Sequence, residues 1–253
     1  MEVNIYLTLF YYHNVKDIYV DKIQVIREFL KEKIGEKHAV LGISSGIDSS
    51  LVLTLLATSI DRNKIKAIFM PDKYTKQDDY EDIKKLSDST GLDIITINIE
   101  NVFESYRALL NTSDKKLEGN IRSRIRANIL YYHANLLGGL VIGTTNRTEY
   151  LLGYYTKYGD GACDIEPIED VFKTDVWKIA SILKVPQSII DKKPSAGLWE
   201  NQYDEDELKM DYHEIDKILS DIFDNHTLNG KYEKLMELYL KSMHKRELPK
   251  AMN

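Results

Sequence analysis

Short apolar runs alternate along this chain with longer stretches in which apolar residues recur at helical spacing. Four runs rich in Val, Ile and Leu predict buried parallel strands, at 38–43, 65–70, 92–98 and 139–144. Helices are predicted before and between them, near 15–34, 49–59, 77–90 and 120–137. This alternation is typical of an α/β fold with a doubly wound, mostly parallel open sheet and flanking helices. In such sheets ligands bind at the carboxyl ends of the strands, so the loops there are the first place to look for a site.

The second half of the chain has a different pattern. A long polar segment without hydrophobic periodicity covers 145–175, and short helices follow it, one of them near 228–243. Too few apolar runs remain for a second sheet, so 1–253 is predicted to be a single domain with a helical C-terminal elaboration. The aromatic-rich residues 1–14 are predicted to be an N-terminal extension or an interface segment.

The helix predicted at 120–137 carries an apolar stripe, made of Ile121, Ile125, Ile129, Tyr132 and Leu136. Arg122 and Arg126 point well away from part of this stripe, whereas Arg124 lies at its edge. A cation in that position can reach a phosphate or a ribose, or it can simply lie along the helix flank. Gly138 is predicted to end the helix, because glycine readily takes the left-handed conformation of a helix C-terminus.

Composition and charge narrow the function classes. The formal net charge is −6, from 34 basic and 40 acidic residues, which argues against a nucleic-acid partner although a local basic patch remains possible. No run of 18 apolar residues occurs, and the N-terminus lacks a basic leader region, so no membrane association is expected. Cys163 is the only cysteine, which excludes an intrachain disulfide and favours a reducing, cytoplasmic location.

The sequence GISSGIDSS follows the first predicted strand and leads into a predicted helix. Unpaired N–H groups and the helix dipole favour an anion there, and Gly42 and Gly46 allow the backbone to approach it closely. Three hydroxyl groups are added by Ser44, Ser45 and Ser49. Asp48 would repel a phosphate unless a magnesium ion bridged the two. An ordinary helix N-cap is the alternative, and a Walker loop is excluded because no Gly-Lys-Ser/Thr follows.

Glu149 is the best candidate for a second carboxylate at the same metal ion. It lies in the polar segment just past the fourth predicted strand, where a functional loop is expected. Magnesium usually takes one or two carboxylates together with phosphate oxygens. The alternative is a carboxylate that only stabilises a helix N-terminus.

The 42–49 loop resembles the S-G-G-x-D-S loop of the ATP pyrophosphatases, which cleave ATP between the α- and β-phosphates. Ser45 stands where that family usually has its first glycine; if the position needs a positive φ, the serine costs about 1 kcal/mol. Further motifs in the same order are similar to the signature of NAD synthetase. They are GTTNRTE at 143–149, GYYTKYGDG at 153–161, PSAGLW at 194–199, DEDEL at 204–208 and MHKR at 243–246. The resemblance extends from roughly residue 20 to the C-terminus.

This resemblance implies a reaction. ATP adenylates the nicotinic acid carboxylate of deamido-NAD and releases pyrophosphate, and ammonia then displaces AMP to give NAD. Magnesium is the implied cofactor, ATP is a co-substrate, and a homodimer with its substrate sites at the subunit interface is the implied assembly. The larger members carry an amidase domain with a catalytic cysteine, and this chain has no room for one. Free ammonia is therefore the expected nitrogen source, unless a separate amidase subunit delivers it.

Roles are carried over only onto matching positions. The ATP-binding residues implied by the resemblance are Gly42, Ile43, Ser44, Ser45, Gly46, Ile47, Asp48, Ser49, Thr144, Lys173 and Ser195. Those implied for deamido-NAD are Arg124, Lys157, Asp164, His244 and Lys245. Asp48 and Glu149 are the implied magnesium ligands. Asp48 and Lys173 are the expected catalytic groups, and Asp160 is our hypothesis for the group that deprotonates ammonium.

Other interpretations remain open from the residues alone. His244 and Lys245 can be ordinary solvated charge at a helix C-terminus, and the acids at 204–207 can be an ordinary helix start, so they are not included as site residues. The aromatic residues Tyr6, Phe10, Tyr11 and Tyr12, with the Tyr-rich helix at 129–132, can bury a dimer interface. The alternative functions are another adenylating ATP pyrophosphatase and a non-catalytic ATP-binding sensor.

Overall fold

The computed structural model describes residues 2–195, 197, 199, 202–227 and 232–248, and for residues 2–16 it describes the backbone alone. Its sheet has four parallel strands in the order β3-β2-β1-β4. They are β1 (Ala39–Ile43), β2 (Ile65–Phe69), β3 (Ile94–Thr96) and β4 (Leu140–Ile142). The prediction of an α/β fold with an open parallel sheet is therefore confirmed, and each predicted strand is present, although shorter than predicted.

Seven α-helices surround or connect the strands. They are α1 (Glu2–Ile34), α2 (Ile47–Ala57), α3 (Gln77–Thr90), α4 (Glu100–Leu110), α5 (Lys115–Leu137), α6 (Arg147–Leu152) and α7 (Lys173–Ile182). The later described helices are α8 (Gln187–Ile190), α9 (Asp204–Leu208), α10 (Tyr212–Phe223), α11 (Tyr232–Lys241) and α12 (Met243–Arg246). A 3₁₀ turn, Arg62–Lys64, leads into β2. Among the described residues, no helix combines the length and the apolar composition that a membrane span requires.

The sheet is covered on both faces, as a doubly wound fold requires. One apolar cluster joins the sheet to α1, α2, α3, α7 and α8, with Leu30, Leu51 and Ile179 completely buried. The opposite cluster joins it to α4 and α5, around Phe103 and Ile125. A third cluster lies away from the sheet, where α6, α10 and α11 pack together. This third cluster corresponds to the predicted helical C-terminal elaboration.

Helix boundaries were the least accurate part of the prediction. α1 begins at Glu2, so the residues predicted as an N-terminal extension continue the first helix; the side chains of Tyr6, Phe10, Tyr11 and Tyr12 lie outside the described part. α4 was not predicted, and α6 lies inside the segment predicted to be an irregular loop. The helix predicted near 228–243 is present as α11 and the start of α12, and 228–231 lie outside the described residues.

The apolar stripe on α5 is buried only over its first part. Ile125 is buried, but Tyr132 and Leu136 are 63% and 65% exposed, so the second part of the stripe faces away from the core. Gly138 ends the helix in the left-handed conformation, as predicted, with φ 61°. The chain then turns sharply into β4.

Arg122 on α5 is completely buried, although its position on the helix points well away from part of the apolar stripe. Its guanidinium lies 3.4 Å from the centre of the Phe103 ring and pairs with Asp72 and Glu118, at 3.4 and 3.6 Å. Arg126, one turn further, also pairs with Asp72, at 2.9 Å. The ion pairs with Asp72 hold α5 against the loop after β2, and the contact with the Phe103 ring holds it against α4. Together they form one wall of the site described below.

Candidate functional site

A cavity of about 1200 Å³ opens at the carboxyl ends of β1, β2 and β4. Its lining comes from the 42–49 loop, the start of α3, α5, the 143–160 segment, residues 192–195 and the two terminal helices. This is the position that the crevice rule gives for a ligand in an open parallel sheet.

The 42–49 loop connects β1 to α2 and is held in shape by its own hydroxyl groups. The Gly46 N–H donates to Ser44 Oγ at 3.2 Å, and the Ser44 N–H donates to Ser49 Oγ, also at 3.2 Å. Ser49 Oγ donates to the Gly46 carbonyl at 3.1 Å. Ser45 has φ 62°, the left-handed conformation expected where relatives of this loop have glycine.

Asp48 is the first-turn acid of α2, and it meets Glu149 at a shared lysine. Lys173, the first residue of α7, has its side chain 3% exposed and donates to Asp48 Oδ2. The same ammonium lies 3.3 Å from Glu149 Oε1. Asp48 and Glu149, one beside each strand end, thus converge with Lys173 at the base of the cavity. Their shared role as magnesium ligands stays a prediction.

Asn146 organises this convergence, and the sequence analysis did not single it out. Its amide nitrogen donates to Asp48 Oδ1 at 2.9 Å, while its amide oxygen accepts from the Glu149 N–H at 3.0 Å. The carboxylate of Glu149 in turn accepts from the Asn146 N–H, which completes a capping box at the start of α6. A sequence signal existed, namely Asn followed three residues later by Glu and then by the helix-ending Gly153.

Burial and charge dominate the electrostatics of this cluster. Burial, together with the nearby charge of Asp48, raises the pKa of Glu149 above its usual range. Burial by itself would lower the pKa of Lys173, but Asp48 and Glu149 outweigh it and keep the ammonium charged. Two carboxylates therefore compete for one buried cation, an arrangement that favours a further cation beside them.

Asp204 is a third acid near this lysine, although its sequence position predicts only an ordinary helix start. It does begin α9, but its side chain is buried and accepts from Tyr212 Oη at 3.0 Å and from Tyr154 Oη at 3.3 Å. Burial raises the pKa of Asp204, and the charge of Lys173 opposes that shift. Nothing in the run of four acids distinguishes Asp204 from its neighbours, so only the family motif could have indicated it.

Four of the five residues implied for deamido-NAD lie together on another wall of the cavity. Arg124 donates to the Lys157 carbonyl at 3.3 Å, and Lys157 donates to the His244 carbonyl. Lys245 donates to the Gly153 carbonyl at 2.6 Å. Asp164 lies apart: it lines a separate cavity of about 610 Å³, and its carboxylate accepts from the Val141 N–H.

Asp160 also lines the large cavity, and its carboxylate is firmly oriented. Oδ1 accepts from Ser123 Oγ at 2.5 Å and from the Thr156 N–H at 3.0 Å. A side chain at Gly159 would approach Ser123 Oγ to 2.2 Å, so glycine is required for this close contact. Thr144 and Ser195 line the same cavity, and their roles toward ATP remain predictions.

The partly buried acid Glu166 packs between Gly143 and Cys163. The Glu166 carboxyl would be 2.3 Å from any side-chain carbon at Gly143, and it accepts from the Thr145 N–H at 3.1 Å. Cys163 Sγ donates to it at 3.2 Å. Burial raises the pKa of Glu166 to about 7 and holds the pKa of the Cys163 thiol well above its usual range. The thiol therefore stays protonated and is unsuited to act as a nucleophile.

Comparison with known proteins gives a consistent result. The family model for NAD synthase matches residues 18–249. A protein of Picrophilus torridus named NH(3)-dependent NAD(+) synthetase is 59% identical over 229 residues, which cover 90% of this chain and 92% of that protein. The solved NMN synthetase of Francisella tularensis matches with a TM-score of 0.85 and 32% identity, over 93% of this chain and 98% of that one. An NH3-dependent NAD synthetase of Campylobacter jejuni matches with a TM-score of 0.77 and 28% identity, over 94% and 98%.

Proposed function

Because the chain belongs to the NAD synthase family, we propose that it forms NAD from deamido-NAD, ATP and ammonia. ATP adenylates the nicotinic acid carboxylate with release of pyrophosphate, and ammonia displaces AMP. A carboxylate accepts an amine poorly, and AMP converts one of its oxygens into a leaving group. The observation that carries this proposal is the convergence of Asp48, Glu149 and Lys173 beside the 42–49 loop.

The 42–49 loop supplies the ATP phosphates with backbone N–H groups at the start of α2. Gly42 packs against Met70 and Leu130, which give the cavity an apolar patch close to the loop. A purine base can bury its face on such a patch while the phosphates extend toward α2. Lys173 would then stabilise the negative charge that develops on departing pyrophosphate.

The donor set of Asp48 and Glu149 fits magnesium. Both are carboxylates, both are partly buried at the cavity base, and they share one lysine between them. Within the described residues, no group of three or more His, Cys, Asp or Glu side chains comes together that could hold a metal unaided. Phosphate oxygens would therefore complete the coordination. Magnesium bound there would neutralise charge on the leaving pyrophosphate.

The wall formed by Arg124, Lys157, His244 and Lys245 suits the diphosphate of deamido-NAD. These residues face the cavity in a chain whose overall charge is −6, so the local charge is opposite to the global one. Asp160 lies on the same side, with one carboxylate oxygen fixed by Ser123 and Thr156. Its other oxygen remains available to accept a proton from ammonium as the amine attacks.

Asp160→Asn is expected to lower kcat/KM for ammonium about 100-fold at pH 7, the usual size of a general-base contribution. Asparagine keeps the shape of the side chain but cannot take a proton. Exchange of labelled pyrophosphate into ATP, which reports adenylation alone, should change little. Asp170→Asn serves as the control, because Asp170 pairs with Lys22 away from the cavity. Full turnover of Asp160→Asn with ammonium would remove Asp160 from the mechanism.

The nicotinate mononucleotide is a second candidate acceptor. The observation in its favour is the 0.85 TM-score with a structure described as an NMN synthetase. Comparison of kcat/KM for the mononucleotide and the dinucleotide, at fixed ATP and ammonium, separates the two. Higher kcat/KM for deamido-NAD supports our proposal. The family match also favours this chemistry over the other ATP pyrophosphatases and over an ATP sensor.

We also propose that the chain works as a homodimer joined through α4 and α5. These helices pack on each other and expose several large apolar side chains, namely Val102, Tyr106, Leu109, Leu110, Leu117, Tyr132 and Leu136. Exposed apolar residues concentrated on adjacent helices indicate an interaction surface.

Equilibrium sedimentation should give twice the chain mass of 29.3 kDa. Leu136→Glu should give monomers and Leu248→Glu, at an exposed C-terminal position, should not; a monomeric wild type would contradict the proposal.

We also propose a cytoplasmic location. The protonated Cys163 needs no oxidising compartment, and the substrates are metabolites of the cell interior. Neither nucleic acid nor a membrane is proposed as a partner.

A further inference from the structure

Beside the 42–49 loop lies a charged cluster that the reaction scheme does not use, and its members Asp79 and Lys192 also line the cavity. Ser45, 2% exposed, donates from Oγ to Asp79 Oδ1 at 2.8 Å. Asp79 lies in the first turn of α3, where its second oxygen accepts from the Lys76 N–H at 2.8 Å. One carboxylate therefore connects the loop to the N-terminus of α3.

Lys192 connects a third segment to the same point. Its ammonium lies 3.0 Å from Asp79 Oδ1, 2.6 Å from Asp82 Oδ2 and 3.3 Å from Ser45 Oγ. It belongs to the 191–195 segment, which also contributes Ser195 to the cavity lining. Lys85 reaches the other side of Asp82, at 3.4 Å, and donates to Ser188 at 3.1 Å.

Two physical problems meet at this cluster. Ser45 holds a left-handed backbone conformation that a serine adopts only when its surroundings impose it. Asp79 and Asp82 place negative charge beside a loop suited to phosphate, and Asp79 also lines the cavity. Uncompensated charge there would oppose ATP. The hydrogen bond from Ser45 to Asp79 stabilises the left-handed conformation of Ser45. The ammonium of Lys192 neutralises the charge of Asp79 and Asp82.

We propose that Ser45, Asp79 and Lys192 form a brace that holds the 42–49 loop in its anion-binding shape, and that Lys192 cancels the negative charge of Asp79 and Asp82 beside the loop. The three are positioning residues for ATP, and the inference rests on the proposed function, because it takes ATP as the ligand of the loop. A glycine at this position would leave the loop backbone free, whereas the hydroxyl of Ser45 attaches the loop to α3 and to the 191–195 segment.

Lys192→Met is expected to raise the Kd for magnesium-ATP, measured by calorimetry, about tenfold, a difference of about 1.4 kcal/mol. KM for ATP should rise in parallel while kcat at saturating ATP stays within about twofold, because the brace acts on bound ATP before and during the reaction alike. Lys85→Met is the matched control. It removes a cation from the same Asp82 but not from Ser45, and its Kd should stay within about twofold of the wild type, in line with an exposed ion pair.

Charge balance gives a rescue experiment. Asp79→Asn in the Lys192→Met background removes the uncompensated carboxylate, so the double variant should recover most of the lost ATP affinity. A lysine that only supports the fold would show no such recovery. Thermal unfolding of each variant establishes whether the measured protein is folded.

Ser45 provides a test that does not depend on a charged side chain. Ser45→Ala loses the hydroxyl but keeps the strained backbone, whereas Ser45→Gly loses the hydroxyl and relieves the strain. The expected order of Kd for ATP is highest in Ser45→Ala, then Ser45→Gly, then the wild type. If Lys192→Met fails to fold, this order decides the question alone.

The outcomes separate the two proposals. A wild type that does not bind magnesium-ATP would overturn the proposed function and the brace with it. A wild type that binds, together with Lys192→Met of unchanged Kd, would overturn the brace alone. Equal losses in Lys192→Met and Lys85→Met, or Ser45→Ala binding as tightly as Ser45→Gly, would also overturn it.

Discussion

Asp48→Asn is expected to slow pyrophosphate release about 1000-fold, the upper range for removal of one electrostatic group from an active site. The Asp48 carboxylate joins three parts of the site. It lies at the start of α2, and it accepts hydrogen bonds from Asn146, the N-cap of α6, and from Lys173 of α7. Asparagine preserves the volume and the hydrogen bond geometry on one side. It removes the negative charge that a divalent cation requires, and it leaves Lys173 with Glu149 as its closest charged partner.

The measurement is pyrophosphate release with ATP and deamido-NAD over a range of magnesium concentrations. Asp88→Asn, an exposed acid on α3, is the control and should match the wild type. The variant should also need more magnesium to reach half of its own maximal rate. Wild-type pyrophosphate release by a folded Asp48→Asn protein would contradict the assignment.

Lys173→Met is expected to have a large effect on both stability and activity. The side chain is 3% exposed, and its ammonium is the cation shared by Asp48 and Glu149, with Asp204 nearby. Loss of one partner from a buried ion pair typically costs about 3–5 kcal/mol of unfolding free energy. Loss of a cation at the leaving group should reduce turnover by at least about 100-fold.

The stability loss should depend on pH with a definite sign. The pKa of Glu149 is already raised by burial and by Asp48, and without Lys173 it must rise further. The folded variant then binds more protons than the unfolded chain between the ordinary pKa of a glutamate and the raised one. Its stability should therefore increase as pH falls from about 8 to about 5.

Chemical denaturation of Lys173→Met at several pH values tests this directly. Lys178→Met is the matched control on the same helix, since Lys178 is half-exposed and pairs with Asp175 at 2.9 Å. Its loss should be within about 1 kcal/mol, as for other surface ion pairs. Unchanged stability of Lys173→Met at neutral pH would show that the cluster does not depend on this cation.

The sequence predicted the sheet well for a physical reason. Strands buried on both faces are continuous apolar runs, and each of the four runs became a strand. α4 was missed although Val102, Phe103, Tyr106 and Leu109 recur at helical spacing. Of its apolar residues Phe103 is buried, whereas Leu109 is 80% exposed. α6 escaped because six residues show no periodicity, although its capping residues Asn146, Glu149 and Gly153 were visible.

Those site residues that come soon after the end of a strand could be predicted from the sequence. Asp48 and Glu149 come soon after β1 and β4, which are neighbours in the sheet, so their proximity follows from topology. Asp204, Lys192 and Asp79 come from helices and connections whose placement depends on packing, and no local pattern indicates them. Asp164 lines a different cavity from the other residues implied for deamido-NAD, and its role toward that substrate stays a prediction.

The central claim is tested most directly by one incubation of the purified protein with ATP, magnesium and deamido-NAD. Ammonium chloride is added to one sample and glutamine to another, and the NAD formed is measured. We predict NAD with ammonium and none with glutamine. Absence of NAD with ammonium, while ATP is still split to AMP and pyrophosphate, would contradict the claim and would point to a different acceptor for the adenylate.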